Sequence, residues 1–152
     1  MAWLRVWRMP AKHTFLKDDD GEFCGTPSVD TLPNAPALGT FVAALCDLPE
    51  GEATLRTLPS CNDAAHAKPF GVIVLRTGNE VKAFVNRCAH FGVPLAAKQQ
   101  QLIFKPHISI SCNVHYARYR WSDGVCEYGD CEGESLIAVP LQMSDSGEIT
   151  IG

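Results

Sequence analysis

The 152-residue chain has no surplus of positive charge: 13 Lys and Arg stand against 17 Asp and Glu, a formal net charge of −4. Binding to phosphates needs the opposite balance, so nucleic acid is not an expected partner. No apolar run approaches the roughly 20 residues of a membrane-spanning helix, which argues against membrane insertion in that form. The opening Met1-Ala2-Trp3-Leu4-Arg5-Val6-Trp7-Arg8 also lacks an apolar run long enough for a secretory signal, so a reducing cytoplasm is the expected location. Internal repeats and low-complexity tracts are absent, which excludes solenoids and arrays. No two histidines and a carboxylate fall in close spacing, so a mononuclear iron site of that type is not encoded.

Helical periodicity is missing as well. From about residue 40 the chain consists of short apolar runs separated by turn residues, the pattern of an all-β domain. The expected strands are Phe41–Cys46, Ala53–Thr57, Phe70–Arg76, Val81–Asn86, Leu102–Phe104, His107–Cys112, Ala117–Trp121, Ser135–Leu141 and Glu148–Ile151. Gly78-Asn79 and Asp123-Gly124 supply residues tolerant of positive φ where two-residue hairpin turns would sit. Alternation in His107–Cys112 predicts Ile108, Ile110 and Cys112 on one face and Ser109 and Ser111 on the other. The next strand sets Ala117, Tyr119 and Trp121 against Arg118 and Arg120, the two arginines on a solvated face.

Hydrophobic content of 46% with 20% charged residues is ordinary for one soluble domain of this length. Residues 1–38 carry Trp3, Trp7, the acidic run Asp18-Asp19-Asp20 and scattered prolines without periodicity, and read as an extension, disordered or packed on a domain at 39–152. Its tryptophans read as tail or core packing. His13, His66 and His107 have no cysteine at ligand spacing and receive no functional role.

Seven cysteines is an odd number, and two of them stand in short pairs with histidine: Cys88-Ala89-His90 and Cys112-Asn113-Val114-His115. The two pairs supply two thiolates and two imidazoles. That set suits zinc, and it also suits an iron–sulfur cluster in which two histidines replace two cysteines on one iron. Cys24, Cys46, Cys61, Cys126 and Cys131 remain and are expected as thiols. Cys126 and Cys131 read as small apolar fillers of a third loop, with a disulfide between them the alternative.

Asn86-Arg87-Cys88-Ala89-His90-Phe91-Gly92-Val93-Pro94-Leu95 resembles the first cluster-binding loop of Rieske-type [2Fe–2S] proteins. Cys112-Asn113-Val114-His115-Tyr116-Ala117-Arg118-Tyr119 resembles the second, and Asp123–Cys126 with Leu136–Leu141 resembles the strand return that follows. Relatives usually carry proline after the second-loop cysteine and glycine after its histidine, where this chain has Asn113 and Tyr116. The resemblance implies a Rieske-type antiparallel β-sandwich with a small cluster-binding subdomain built by loops 86–96 and 112–121. It implies a [2Fe–2S] cofactor held by Cys88, His90, Cys112 and His115, with both sulfurs on one iron and both imidazoles on the other.

The same resemblance carries expectations about potential and partners. High-potential members brace the loops with a disulfide at the positions of Val93 and Val114 and place a serine at that of Ala117, whereas Tyr119 matches a tyrosine that donates to a ligand sulfur. A low-to-intermediate potential follows, raised somewhat by the tyrosine. The chain is too short to hold an oxygenase catalytic domain as well, so the expected role is a ferredoxin-like, non-catalytic carrier or small subunit of an oxidoreductase system. Its redox partners would be a flavoprotein reductase and a terminal oxygenase or reductase, docking on a collar of Phe91, Pro94 and Tyr116. The alternatives are a zinc-stabilised or clusterless structural subunit of the same fold.

Overall fold

A computed structural model describes residues 28–61 and 68–152. Trp3, Trp7, His13, Cys24, His66 and the greater part of the 1–38 extension lie outside these residues. Eleven strands are present among the described residues: β1 Phe41–Ala44, β2 Ala53–Leu58, β3 Phe70–Thr77, β4 Glu80–Val85, β5 Ile103–Lys105, β6 Ser109–Ser111, β7 Arg118–Arg120, β8 Cys126–Tyr128, β9 Ala138–Val139, β10 Leu141–Met143 and β11 Glu148–Ile151. Helix is confined there to single 3₁₀ turns. The strands form three antiparallel sheets, ordered β1-β11-β10, β2-β3-β4-β9 and β5-β6-β7-β8.

The sheet β2-β3-β4-β9 lies between the other two, and its sequence explains why. A strand with one wet face alternates, whereas Val72-Ile73-Val74-Leu75 is apolar throughout and fully buried. Val72 and Val74 enter one core with Val42, Ala43, Ile149 and Ile151 of the first sheet. Ile73 and Leu75 enter a second with Ile110, Tyr119 and Trp121 of the third. Each such side chain contributes about 1.5–3 kcal/mol when buried, so the middle sheet holds the two outer layers in place. The first Cys/His loop links β4 of the middle sheet to β5 of the third, and the second joins β6 to β7, so the site lies on the third layer.

Two polar clasps tie that layer to the middle sheet. The Gln99 side chain acts as a surrogate peptide on β2, accepting from Leu55 N–H at 2.7 Å and donating to the Ala53 carbonyl at 3.0 Å. Trp121 Nε1–H donates to Thr77 Oγ1 at 3.0 Å, and His107 Nδ1 lies 3.2 Å from the same hydroxyl. His107 adopts φ 60°, and this turn overrides the expected alternation. The strand begins at Ser109, so Ser109 is buried at 5% exposure while Ile108 is 52% exposed. Ile110 and Cys112 are buried as expected.

The two hairpins differ in the length of their turns. Thr77 pairs with Glu80 across Gly78-Asn79, and only Gly78 has positive φ, the pattern of a type II′ turn. The expected two-residue turn at Asp123-Gly124 is instead a four-residue loop: Arg120 N–H bonds the Val125 carbonyl and Gly124 N–H bonds the Arg120 carbonyl. Trp121 turns into the core, and Asp123 ties the loop by accepting from Val125 N–H and pairing with Arg120. That pairing holds the Asp123 carboxyl below its ordinary range. Strand β8 was not foreseen, because Cys126-Glu127-Tyr128 is short and carries a bulge opposite Arg118/Tyr119.

Gly124 has φ 73°, and a Cβ there would lie 2.6 Å from the Phe84 ring, whereas one at Gly78 would meet nothing. Gly124→Ala should therefore combine the backbone cost of about 1–2 kcal/mol with overpacking of about 1–3 kcal/mol. Gly78→Ala should show only the first. Urea unfolding of the two variants followed by tryptophan fluorescence should rank them in that order, and equal midpoints would contradict the packing argument.

Candidate metal centre

Cys88 lies three residues past the end of β4, in a loop whose shape is dictated by its own backbone. Cys88 N–H bonds the Val93 carbonyl at 2.6 Å, and Gly92 N–H bonds the Cys88 carbonyl at 2.8 Å. Gly92 has φ 68°, and a Cβ there would lie 2.9 Å from the Arg87 guanidinium, so glycine lets Arg87 pack beneath the loop. Asn86 closes the base: its Oδ1 accepts from Leu95 N–H at 2.9 Å and Ala96 N–H at 3.4 Å, and its Nδ2 donates to the Ala96 carbonyl at 2.8 Å.

The second loop follows β6 and folds back at once. Cys112 N–H bonds the Ala117 carbonyl at 2.8 Å, and Tyr116 N–H bonds the Cys112 carbonyl at 3.0 Å. Tyr116 has φ 56°, the left-handed region, at the position where resembling chains usually carry glycine. The conformation is therefore retained here with a side chain that projects into solvent. The other departure has a use, because Asn113 has the N–H that proline lacks and donates it to the Leu95 carbonyl at 2.8 Å. This bond joins the two loops directly.

The joined loops bring Cys88 Sγ, Cys112 Sγ and one His115 ring nitrogen within 4.8 Å of one another. His90 stands beside this trio, its ring centroid 5.4 Å from that of His115 and edge-on to it. Both sulfurs are buried, at 1% and 0% exposure, while His115 is exposed and His90 half-buried. Burial pushes the Cys112 thiol up from its ordinary range, with the neighbouring Cys88 adding to the rise. Two thiolates this close need a cationic partner, and metal binding would release their protons. Two soft sulfur donors inside and two imidazoles outside fit a mixed-ligand iron–sulfur cluster, and the residues present are sufficient for it.

Tyr119 sits beneath the first loop, fully buried on β7. Its hydroxyl oxygen accepts from Ala89 N–H at 3.0 Å and lies 3.1 Å from Cys88 Sγ and 3.3 Å from Cys131 Sγ. Burial holds its pKa far above that of an ordinary phenol, so it remains a donor. The third loop, after β8, covers the site from the other side and brings Asp130 Oδ2 to 3.7 Å from His90 Nε2, an ion pair only when the imidazole is protonated.

Exposed apolar side chains flank the imidazoles. Phe91 lies 3.7 Å from the His90 ring and 5.2 Å from the His115 ring, centroid to centroid, and is 67% exposed. Val114, Tyr116 and Pro94 are exposed on the same two loops. The sequence assigned no role to Asn86 or Asp130. Asn86 opens the first quoted motif, yet its partners lie nine and ten residues onward, and Asp130 reaches His90 only through the fold. Arg118 and Arg120 lie on the solvated face, paired with Glu127 and Asp123.

A family model of the Rieske [2Fe-2S] domain matches residues 39–141. Among solved structures, the ferredoxin of carbazole 1,9a-dioxygenase from Nocardioides aromaticivorans IC177 is 22% identical with a TM-score of 0.56, covering 76% of this chain and 98% of that one. The terminal oxygenase of carbazole 1,9a-dioxygenase from Novosphingobium sp. KA1 is 22% identical with a TM-score of 0.56, covering 74% of this chain and 30% of that one. The terminal oxygenase from Nocardioides aromaticivorans IC177 is 24% identical with a TM-score of 0.54, covering 77% and 31% respectively. The chain thus spans about a third of the oxygenases and nearly all of the ferredoxin. Among curated proteins no match was found.

Asn86→Ala removes three hydrogen bonds and leaves part-buried amide groups of residues 95 and 96 without partners. The expected loss is about 2–4 kcal/mol of stability. Faster amide hydrogen exchange should appear at Leu95 and Ala96, and exchange equal to wild type there would exclude Asn86 as the closing clamp.

Proposed function

Because this chain belongs to the Rieske [2Fe-2S] domain family, we propose that it is a one-electron carrier whose cluster is held by Cys88, His90, Cys112 and His115. The observation that carries this reading is the convergence of the two buried sulfurs and the His115 nitrogen within 4.8 Å, with His90 alongside. When bound, the group supplies a one-electron couple without an open coordination position for substrate. The protein's own residues supply the rest. Cys88 and Cys112 hold from the buried side, and the backbone bonds of both loops fix their sulfurs before loading. His90 and His115 hold from the solvent side, with their remaining ring nitrogens toward water and Asp130.

Tyr119 tunes the site. Its O–H donates to Cys88 sulfur, and a donor favours the more negative, reduced state, which raises the potential. Val93 and Val114 cannot form a bracing disulfide, and Ala117 has no hydroxyl to donate. The potential therefore belongs in the low-to-intermediate part of the range for such centres.

A partner would dock where the imidazoles meet the exposed Phe91, Val114, Pro94 and Tyr116, the shortest path for an electron into the site. The proposed partners are a flavoprotein reductase as donor and a terminal oxygenase or reductase as acceptor. This context rests on likeness to a dioxygenase ferredoxin that matches over 98% of its length. Retention of all four donor residues favours the carrier over a clusterless structural subunit.

Visible absorption and low-temperature EPR of anaerobically purified chain, before and after dithionite, test the assignment. A red-brown sample giving a rhombic signal with average g below 2 on reduction is expected. A colourless, EPR-silent sample that resists reconstitution would overturn it and leave zinc on the same donors. Tyr119→Phe should lower the midpoint by tens of millivolts, about 60 mV for each 1.4 kcal/mol by which the bond strengthens on reduction. An unchanged midpoint in protein-film voltammetry would remove Tyr119 from the tuning.

A further inference from the structure

Outside the four donor residues, Cys126 and Cys131 form the densest cluster of reactive side chains among the described residues. Their sulfurs are 3.0 Å apart, both are buried, and neither is engaged in a disulfide. The loop between them is held in a fixed frame: Cys126 N–H bonds the Glu134 carbonyl at 2.7 Å, Glu134 N–H bonds the Cys131 carbonyl at 2.9 Å, and Gly133 N–H bonds the Cys126 carbonyl at 3.0 Å. Gly129, at φ 118°, permits the reversal. A disulfide bond is about 2.05 Å long, so closure needs the two sulfurs to approach by about 1 Å without moving the frame.

We propose that Cys126 and Cys131 are a peroxide-reactive dithiol that closes reversibly to a disulfide, and that closure redirects the hydrogen bond of Tyr119 onto Cys88. The oxidant follows from access. Burial excludes bulky disulfides, which must reach a sulfur to exchange, so the oxidant of this proposal is a small neutral one, hydrogen peroxide. Cys131 sulfur attacks one peroxide oxygen, the O–O bond breaks, and a sulfenic acid and water form. Cys126 sulfur then attacks the Cys131 sulfur, the S–S bond forms, the S–O bond breaks and a second water leaves. Two electrons pass from the sulfurs to the peroxide, and both thiol protons end in water. Tyr119 Oη lies 3.3 Å from Cys131 Sγ, within reach to donate to it. Cys126 takes the resolving role because its sulfur lies 3.0 Å from that of Cys131, and its own S–H donates to the Tyr128 carbonyl at 3.3 Å.

The consequence for the metal centre rests on the carrier reading above. In the dithiol form the single Tyr119 proton is shared between two sulfurs, Cys88 at 3.1 Å and Cys131 at 3.3 Å. A disulfide sulfur is the poorer acceptor, so after closure the proton is committed to Cys88. Oxidation of the pair would then raise the potential of the centre.

The test is peroxide treatment of the full chain, alkylation under denaturing conditions and peptide mass mapping. The expected result is a 126–131 peptide lighter by two hydrogens and closed to alkylation, reopened by dithiothreitol, and missing in Cys126→Ser and Cys131→Ser. The exposed Cys46 and Cys61 serve as internal controls for oxidation. Full alkylation of both Cys126 and Cys131 in wild type when those controls are oxidised would overturn the dithiol, whether or not the variants fold. The mass readout needs no cluster, so a colourless preparation tests the pair separately from the carrier assignment. In cluster-loaded protein, a midpoint that rises on closure and falls back with dithiothreitol supports the link through Tyr119, and an unmoved midpoint with the disulfide formed overturns that link.

Discussion

The phenolic oxygen of Tyr119 is the contact on which the site depends. It lies at the meeting of three segments remote in sequence: the first loop through Ala89 N–H and Cys88 sulfur, its own strand β7, and the third loop through Cys131 sulfur. A buried hydroxyl is costly unless it is satisfied, so these partners must stay in register for the layer to pack. The same atom therefore fixes the position of the Cys88 sulfur and, on the reading proposed above, adjusts its charge. Structural and electronic requirements converge on one hydroxyl, which explains why it is fully buried in the core rather than merely adjacent to the loops.

The architecture around it divides the labour. The middle sheet is apolar on both faces and serves as a common wall, with one core toward the first sheet and one toward the third. The third sheet has three-residue strands and would be a weak structure by itself. It gains order from the wall, through Ile73 and Leu75 packing and through the Trp121–Thr77 and Gln99 contacts. Short strands leave most of that layer's length to loops, which is what a site built from backbone-shaped loops requires.

Much of this was legible in the sequence, for physical reasons that differ from place to place. The two Cys/His pairs, whose sulfurs and His115 the fold brings together, stood out because their spacing is local, and the apolar run at 70–75 because burial on two faces leaves no polar gaps. The third loop and Asn86 were not, since their partners are chosen by the fold. At Ile108 and Ser109 the rule of alternation failed because a left-handed His107 makes the strand begin two residues later than periodicity suggests. At Asp123-Gly124 the turn residues were recognised but the length was not, because Trp121 is drawn into the core and the loop must widen to let it turn. Asn113 and Tyr116, which depart from the resembling pattern, are accommodated by backbone geometry: one donates an N–H that proline would lack, the other keeps the left-handed φ of glycine.

Gln99 has one more effect. Strand β2 is the outer strand of the middle sheet, and an outer strand offers unpaired amides and carbonyls to any extended chain that meets it. By occupying Leu55 N–H and the Ala53 carbonyl, a single side-chain amide fills part of the place where a fifth strand would add. A single glutamine thus both ties the third layer to the middle sheet and covers part of this rim, with neither a charge nor a proline.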